Sequence, residues 1–187
     1  MPSTPYNVLM TQAERERVVA YLLETRAALV ESTRDLDQAR WLHKPGPDQW
    51  SAAECVEHLS VTESSLCRVL LAMPDRPAAS EIELAQAAGK EDLIVKAVPS
   101  RGRKVKGPEG AMPRLETDDP AAILGRFLSV RERTIEFART TDHPLRTRLF
   151  PHFFFGPLDG FQWLIFMAAH SERHRRQIEE VKSAMNF

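Results

Sequence analysis

The sequence predicts an all-α protein, a four-helix bundle, and three observations carry that prediction. Apolar residues recur at three- and four-residue steps in four separate stretches, which is the period of an amphipathic helix. Each stretch opens on a capping signal or follows a glycine–proline break. No stretch shows sustained period-two alternation, so no sheet is required. Four long helices in 187 residues bury their stripes most simply against one another, and one domain spanning residues 1–187 is expected.

The first helix is expected over 11–36, with Val18, Leu22, Leu29 and Leu36 among its apolar positions. Thr11 followed by Glu14 is a capping box, each side chain satisfying a backbone N–H of the other's turn. Lys44-Pro45-Gly46-Pro47-Asp48 then breaks the chain. Ser51 with Glu54 repeats the box and opens a second helix over 51–72, with Val56, Leu59 and Leu66 inward and Pro74 and Pro77 beyond its end. The third, over 119–140, starts at Asp119-Pro120, an acidic cap followed by proline in the first turn. Its stripe is Ile123, Phe127, Ile135 and Ala138. The fourth, over 158–184, follows Gly156-Pro157.

The connection over 74–117 is too long to be structureless in a compact domain. Ser80 with Glu83 as cap and Gly89 as stop read as a short helix, and Leu93–Val98 reads as an extended segment. Pro99–Pro113 is rich in glycine, proline and basic residues, a solvated loop in which Arg101, Arg103, Lys104 and Lys106 fall.

A net charge of −1 gives no field for a polyanion, so nucleic-acid binding is not expected. Cys55 and Cys67 fall in one helix, ~18 Å apart, too far for a mutual disulfide, and a reducing cytoplasm fits. Met1–Met10 lacks the basic and apolar stretches of a signal peptide. The longest apolar run, Trp163–Ala169, is far short of the ~20 residues that cross a bilayer, so no membrane association is expected.

The histidines carry the chemistry. Trp163, Met167, His170, His174, Gln177 and Val181 follow one another by three or four residues, a single inward seam on the last helix. Two histidines there stand where a bundle normally places leucine. At i and i+4 they project side by side, close enough to share one ion. His58, on the second helix with Glu54 and Thr62 on the same strip, supplies a third ligand. Spacing alone leaves a second reading open, with His58 at the surface and His170 and His174 bonded to core side chains. His43 and His143 fall in polar connections, where exposure is the default. His152 becomes a fourth ligand only if its loop folds back.

Three stretches together resemble the DinB-like or YfiT-like superfamily of metal-binding four-helix proteins. They are the run from Trp50 through Ser51, Glu54 and His58 to Leu59, the run from His152 through Gly156-Pro157 to Trp163, and His170-Ser171-Glu172-Arg173-His174-Arg175-Arg176-Gln177-Ile178. The resemblance covers all but the 74–113 region. It implies a bundle with long crossover connections, a metal triad of His58, His170 and His174, and a tendency to form homodimers.

Members of that superfamily are metal-dependent hydrolases or transferases that use a low-molecular-weight thiol. The expectation is a single divalent metal ion, zinc or nickel first and iron next, with a small-molecule substrate. The first reading is transfer of a low-molecular-weight thiol to a small electrophile, since the chain has no G-x-S-x-G elbow and neither cysteine has a clear partner. The alternatives are hydrolysis by a metal-bound hydroxide with Glu54 or Glu63 as base, and a non-catalytic metal-binding module. No catalytic residue is assigned beyond the metal ligands.

Overall fold

The computed structural model describes residues 8–102 and 109–185. Arg103, Lys104 and Lys106 of the expected basic loop lie outside the described residues. The chain runs α1 (Gln12–Thr33), α2 (Gln38–Leu42), α3 (Ala52–Ala72), α4 (Glu81–Ala87), α5 (Glu91–Ala97), α6 (Pro120–Thr140), β1 (Leu149–His152), β2 (Gly156–Asp159) and α7 (Gly160–Ala184).

Local chemistry sets the helix starts. Thr11/Glu14, Ser51/Glu54 and Ser80/Glu83 each form a reciprocal capping box at α1, α3 and α4. Asp159/Gln162 forms a fourth at α7. Asp119 caps α6 ahead of Pro120 by accepting from the Ala121 N–H at 3.0 Å. Past the end of α4, Gly89 has φ +72°, the left-handed conformation that glycine adopts without a steric penalty.

Two expectations are corrected. Leu93–Val98 is not extended. Glu91–Ala97 is the helix α5, with Glu91 and Asp92 in its first turn, Lys96 in its last and Ile94 buried. A seven-residue apolar–polar mixture is too short to separate the two periods.

The protein also contains a sheet. β1 and β2 pair antiparallel, with Phe150 opposite Leu158 and His152 opposite Gly156. Each strand is four residues long and carries a proline, Pro151 facing Pro157, so no alternation was there to read. Both strands of a two-stranded ribbon are edges, where a missing N–H is tolerated. The ribbon is tied down by the Trp163 indole N–H, which donates to the Phe150 carbonyl at 3.1 Å.

The long helices form a four-helix bundle in which α1 and α3 each pack against both α6 and α7. The circular order is therefore α1, α7, α3, α6. The consecutive pairs α1/α3 and α6/α7 lie across diagonals, so their connections must cross an end of the bundle. At one such crossing Gly160 sits so close to Leu145 that an added Cβ would approach its side chain to 2.7 Å.

A polar layer divides the core in two. One apolar cluster gathers Val18, Leu22, Leu70, Ile135 and the Phe161–Ala169 stretch of α7. The other gathers Leu29, Cys55, Val56, Leu59, Phe127 and Ile178. Between them, buried Arg131 on α6 pairs with Glu63 on α3 at 2.7 Å and donates to Thr25 on α1 and Ser171 on α7. Among the described residues no helix is long and apolar enough to cross a membrane.

Candidate metal centre

The histidine cluster is assembled from two facing helices. His58 sits on the second turn of α3, whose start is set by the Ser51/Glu54 box. His170 and His174 sit one turn apart on α7, facing α3. The Nε2 atoms of His58 and His170 are 3.4 Å apart, and those of His170 and His174 are 3.1 Å apart. All three residues offer a ring nitrogen within 4.8 Å of the others. Nitrogens bound at 2.0–2.1 Å around one tetrahedral ion stand about 3.3 Å from each other. The spacing fits.

The outer ring nitrogens fit as well. His58 Nδ1 lies 2.6 Å from the Ala111 carbonyl, which can only accept, so that nitrogen carries the proton. His174 Nδ1 lies 3.1 Å from Gln177 Oε1 and donates in the same way. A neutral imidazole has one proton, so both Nε2 atoms present lone pairs inward. Both lone pairs meet His170 Nε2, at 3.4 and 3.1 Å, and nitrogens that close repel unless a cation or a shared proton stands between them. A ligand histidine whose outer N–H is held by a carbonyl is the arrangement that orients a metal site.

Packing locks the rings. Trp50 stacks on His174 with centroids 5.8 Å apart and tilts against His58 at 4.9 Å. Phe166 stacks on His170 at 5.3 Å. Burial pushes the His170 and His174 pKa values well below the usual histidine range, and a neighbouring imidazole adds to this, His58 for His170 and His170 for His174. His58 is lowered by burial too, an effect partly opposed by its bond to Ala111. All three are therefore neutral at pH 7, the state a metal requires.

The loop that holds His58 is itself anchored. Glu57, next to His58 on α3, accepts from the Arg114 and Leu115 N–H groups at 2.6 Å each and from Glu116 at 3.3 Å. Glu54 is occupied by its capping box and by Lys44 at 2.8 Å. Glu63 gives both oxygens to Arg131 and also accepts from Thr134. None of these carboxylates points a spare oxygen at the histidines.

His152 stands apart from the cluster. Its Nδ1 accepts from the Phe154 and Phe155 N–H groups at 3.0 and 3.2 Å, organising the hairpin turn. Its ring packs against Trp163 and Phe166, and burial pushes its pKa down to about 4. His43 is exposed. His143 is not: it is half-buried with its ring edge-on to Phe137 at 5.6 Å, because the chain turns back onto α6 there. Burial pushes the Cys55 thiol far up, and Cys67, also raised by burial, lies 3.1 Å from the Thr134 hydroxyl. Neither is an activated nucleophile.

Four residues have roles in the structure that the sequence does not give them. Trp50 opens one of the stretches that carry the resemblance, with no part in the site read from it. Arg131 lies four residues past Phe127, and Glu63 four past Leu59; a charge on each apolar stripe was the available signal for the buried pair. Ala111 gave no signal, because its carbonyl acts and not its side chain.

Comparison with known proteins agrees with this architecture. The chain is 23% identical over 159 residues to the uncharacterized protein YuaE of Bacillus subtilis, covering 85% of this chain and 93% of that one. Its fold is similar to that of YfiT from Bacillus subtilis, described as a probable metal-dependent hydrolase with an unusual four-helix bundle topology. That likeness has a TM-score of 0.58 at 16% identity and covers 95% of this chain and 91% of YfiT. The family model of the DinB superfamily matches residues 21–178, a span that includes all three clustered histidines, and the chain belongs to that superfamily.

Proposed function

We propose that the chain binds one divalent metal through His58, His170 and His174 and uses it to activate a low-molecular-weight thiol toward a small electrophile. The carrying observation is the convergence of the three imidazoles, with His170 Nε2 at tetrahedral spacing from both His58 Nε2 and His174 Nε2 and two outer N–H groups already engaged. An all-imidazole set suits zinc or nickel, and iron after them. When bound, such an ion supplies Lewis acidity that lowers the pKa of a thiol or water in its open position.

The residues around the cluster favour the thiol. A general base for water is what Glu54 or Glu63 would have supplied, and both are committed elsewhere. A thiol ionises near pH 8.5 unaided and needs no such base. Trp50 and Phe166 wall the histidines with apolar surface, which strengthens charge interactions by excluding water.

Hydrolysis is the second reading, supported by the description of YfiT and by the same open position. A non-catalytic metal-binding module is the third. Steady-state assays of the metal-loaded protein separate them. Consumption of an electrophile only when a thiol is present supports transfer, and turnover without thiol supports hydrolysis. Metal uptake with no turnover of either kind across a panel of electrophiles and esters supports the module.

A further inference from the structure

We infer that Arg101 makes His174 a competent metal ligand by holding the Gln177 amide in one of its two orientations. The inference rests on reading His174 as a ligand and names the residues outside the cluster that make it one. Arg101 follows α5 in the long connection, and its side chain returns to α7. Its Nε and Nη2 form a fork on Glu180, at 3.1 Å to Oε1 and 2.9 Å to Oε2. That fork leaves Nη1 directed at Gln177 Oε1, 3.1 Å away.

The consequence follows from donor and acceptor counting. A guanidinium only donates, so the Gln177 atom it meets must be the oxygen. The same Oε1 lies 3.1 Å from His174 Nδ1. An amide oxygen cannot donate, so Nδ1 carries the imidazole proton and Nε2 keeps the lone pair that faces His170 Nε2 at 3.1 Å.

With the amide reversed, its NH2 would donate to Nδ1, and the proton would sit on Nε2, where a metal must bind. The His174–Gln177 contact is satisfied in either arrangement, because the ring can exchange tautomers. Arg101 is what makes the two arrangements unequal. His58 needs no such device, since the Ala111 carbonyl that meets its Nδ1 only accepts. Gln177 and Arg101 are thus positioning residues that act through His174.

The test uses tautomer and affinity together, on the full chain. Long-range proton–nitrogen spectra of the 15N-labelled, metal-free protein report which nitrogen of each histidine is protonated. Competition with a chromophoric chelator gives the zinc affinity. Wild type is expected to show His174 protonated at Nδ1. Arg101→Met and Gln177→Leu should shift that proton toward Nε2 and weaken zinc binding by about 10–100-fold. Gln177→Glu keeps an acceptor beside both Arg101 and His174 and should retain the Nδ1 proton and the affinity.

An unchanged His58 pattern in all variants shows that the fold is intact. Zinc affinity equal to wild type in both Arg101→Met and Gln177→Leu, or a His174 tautomer indifferent to both, overturns the inference alone. A wild type that takes up no zinc overturns the metal reading, and this inference with it.

Discussion

At the scale of single residues, the cluster makes two predictions that need no knowledge of the substrate. His170→Ala and His174→Ala should each remove most of the metal from the purified protein, while His43→Ala and His143→Ala leave it in place. Elemental analysis decides this, and full metal content in both helix variants would end the assignment. The second prediction concerns acid. His58, His170 and His174 have pKa values lowered in the folded chain, first by burial. The unfolded chain takes up their protons near the ordinary value of about 6.5, and the folded chain does so only below that. Their contribution is therefore complete above about pH 6.5 and is lost as pH falls below it. Asp159 acts in the opposite sense, because burial pushes its carboxyl up to about 7 against the pull of Arg146. Comparing wild type with the His170→Ala/His174→Ala double variant cancels Asp159. In metal-free buffer, melting midpoints from pH 7.5 to 5.5 should fall more steeply for wild type, and parallel curves would contradict the neutral-histidine geometry.

At the scale of elements, α7 carries both the core and the site. Phe161–Ala169 is buried on every side, so the helix is gripped by α1, α3, α5 and the hairpin before it presents His170 and His174. Trp163 is buried and bonded to Phe150. Trp163→Ala should cost about 3–5 kcal/mol in urea melts, and a wild-type midpoint would mean the seam is misplaced. The Glu63–Arg131 pair makes a separate prediction. Glu63→Leu alone leaves a fully buried guanidinium unpaired and should cost about 3–5 kcal/mol. Adding Arg131→Met should recover much of that loss, because an apolar pair of similar volume meets the two clusters on either side. Equal destabilisation by the single and double variants would show that the ion pair itself supplies net stability. Both residues occupy stripe positions, so this layer was within reach of the helical period.

At the scale of the whole molecule, the metal reading couples the site to stability. A bound ion that prefers the folded chain adds stability by mass action. A chelator at neutral pH should lower the melting temperature of metal-loaded wild type and leave the double histidine variant nearly unmoved; equal shifts in both proteins would remove the link between these histidines and the metal. The bundle order supplies the reason for the link. α3 and α7 are separated in sequence by α4, α5 and α6 yet are direct neighbours, so an ion bridging His58 to His170 and His174 closes a long loop. Gathering these ligands would cost the unfolded chain the closure entropy of that loop, so the ion prefers the folded chain.

By itself, the sequence determined the long helices, their capped starts and the stripe on which His170 and His174 fall, because each rests on contacts three or four residues apart. Thr11/Glu14, Ser51/Glu54 and Asp119-Pro120 are legible for that reason. Only the tertiary structure decided which helices are neighbours and whether His58 faces α7. It also decided what meets the outer nitrogens of two imidazoles: the carbonyl of Ala111 for His58, and for His174 the Gln177 amide oriented by Arg101, 76 positions before Gln177 in the chain. The hairpin stayed hidden because short proline-bearing strands have no period. The physical reason is common to all of these. Local hydrogen bonds and helical periods are written in neighbouring residues, whereas a backbone carbonyl or a distant guanidinium becomes a partner only once the crossover connections have brought it there.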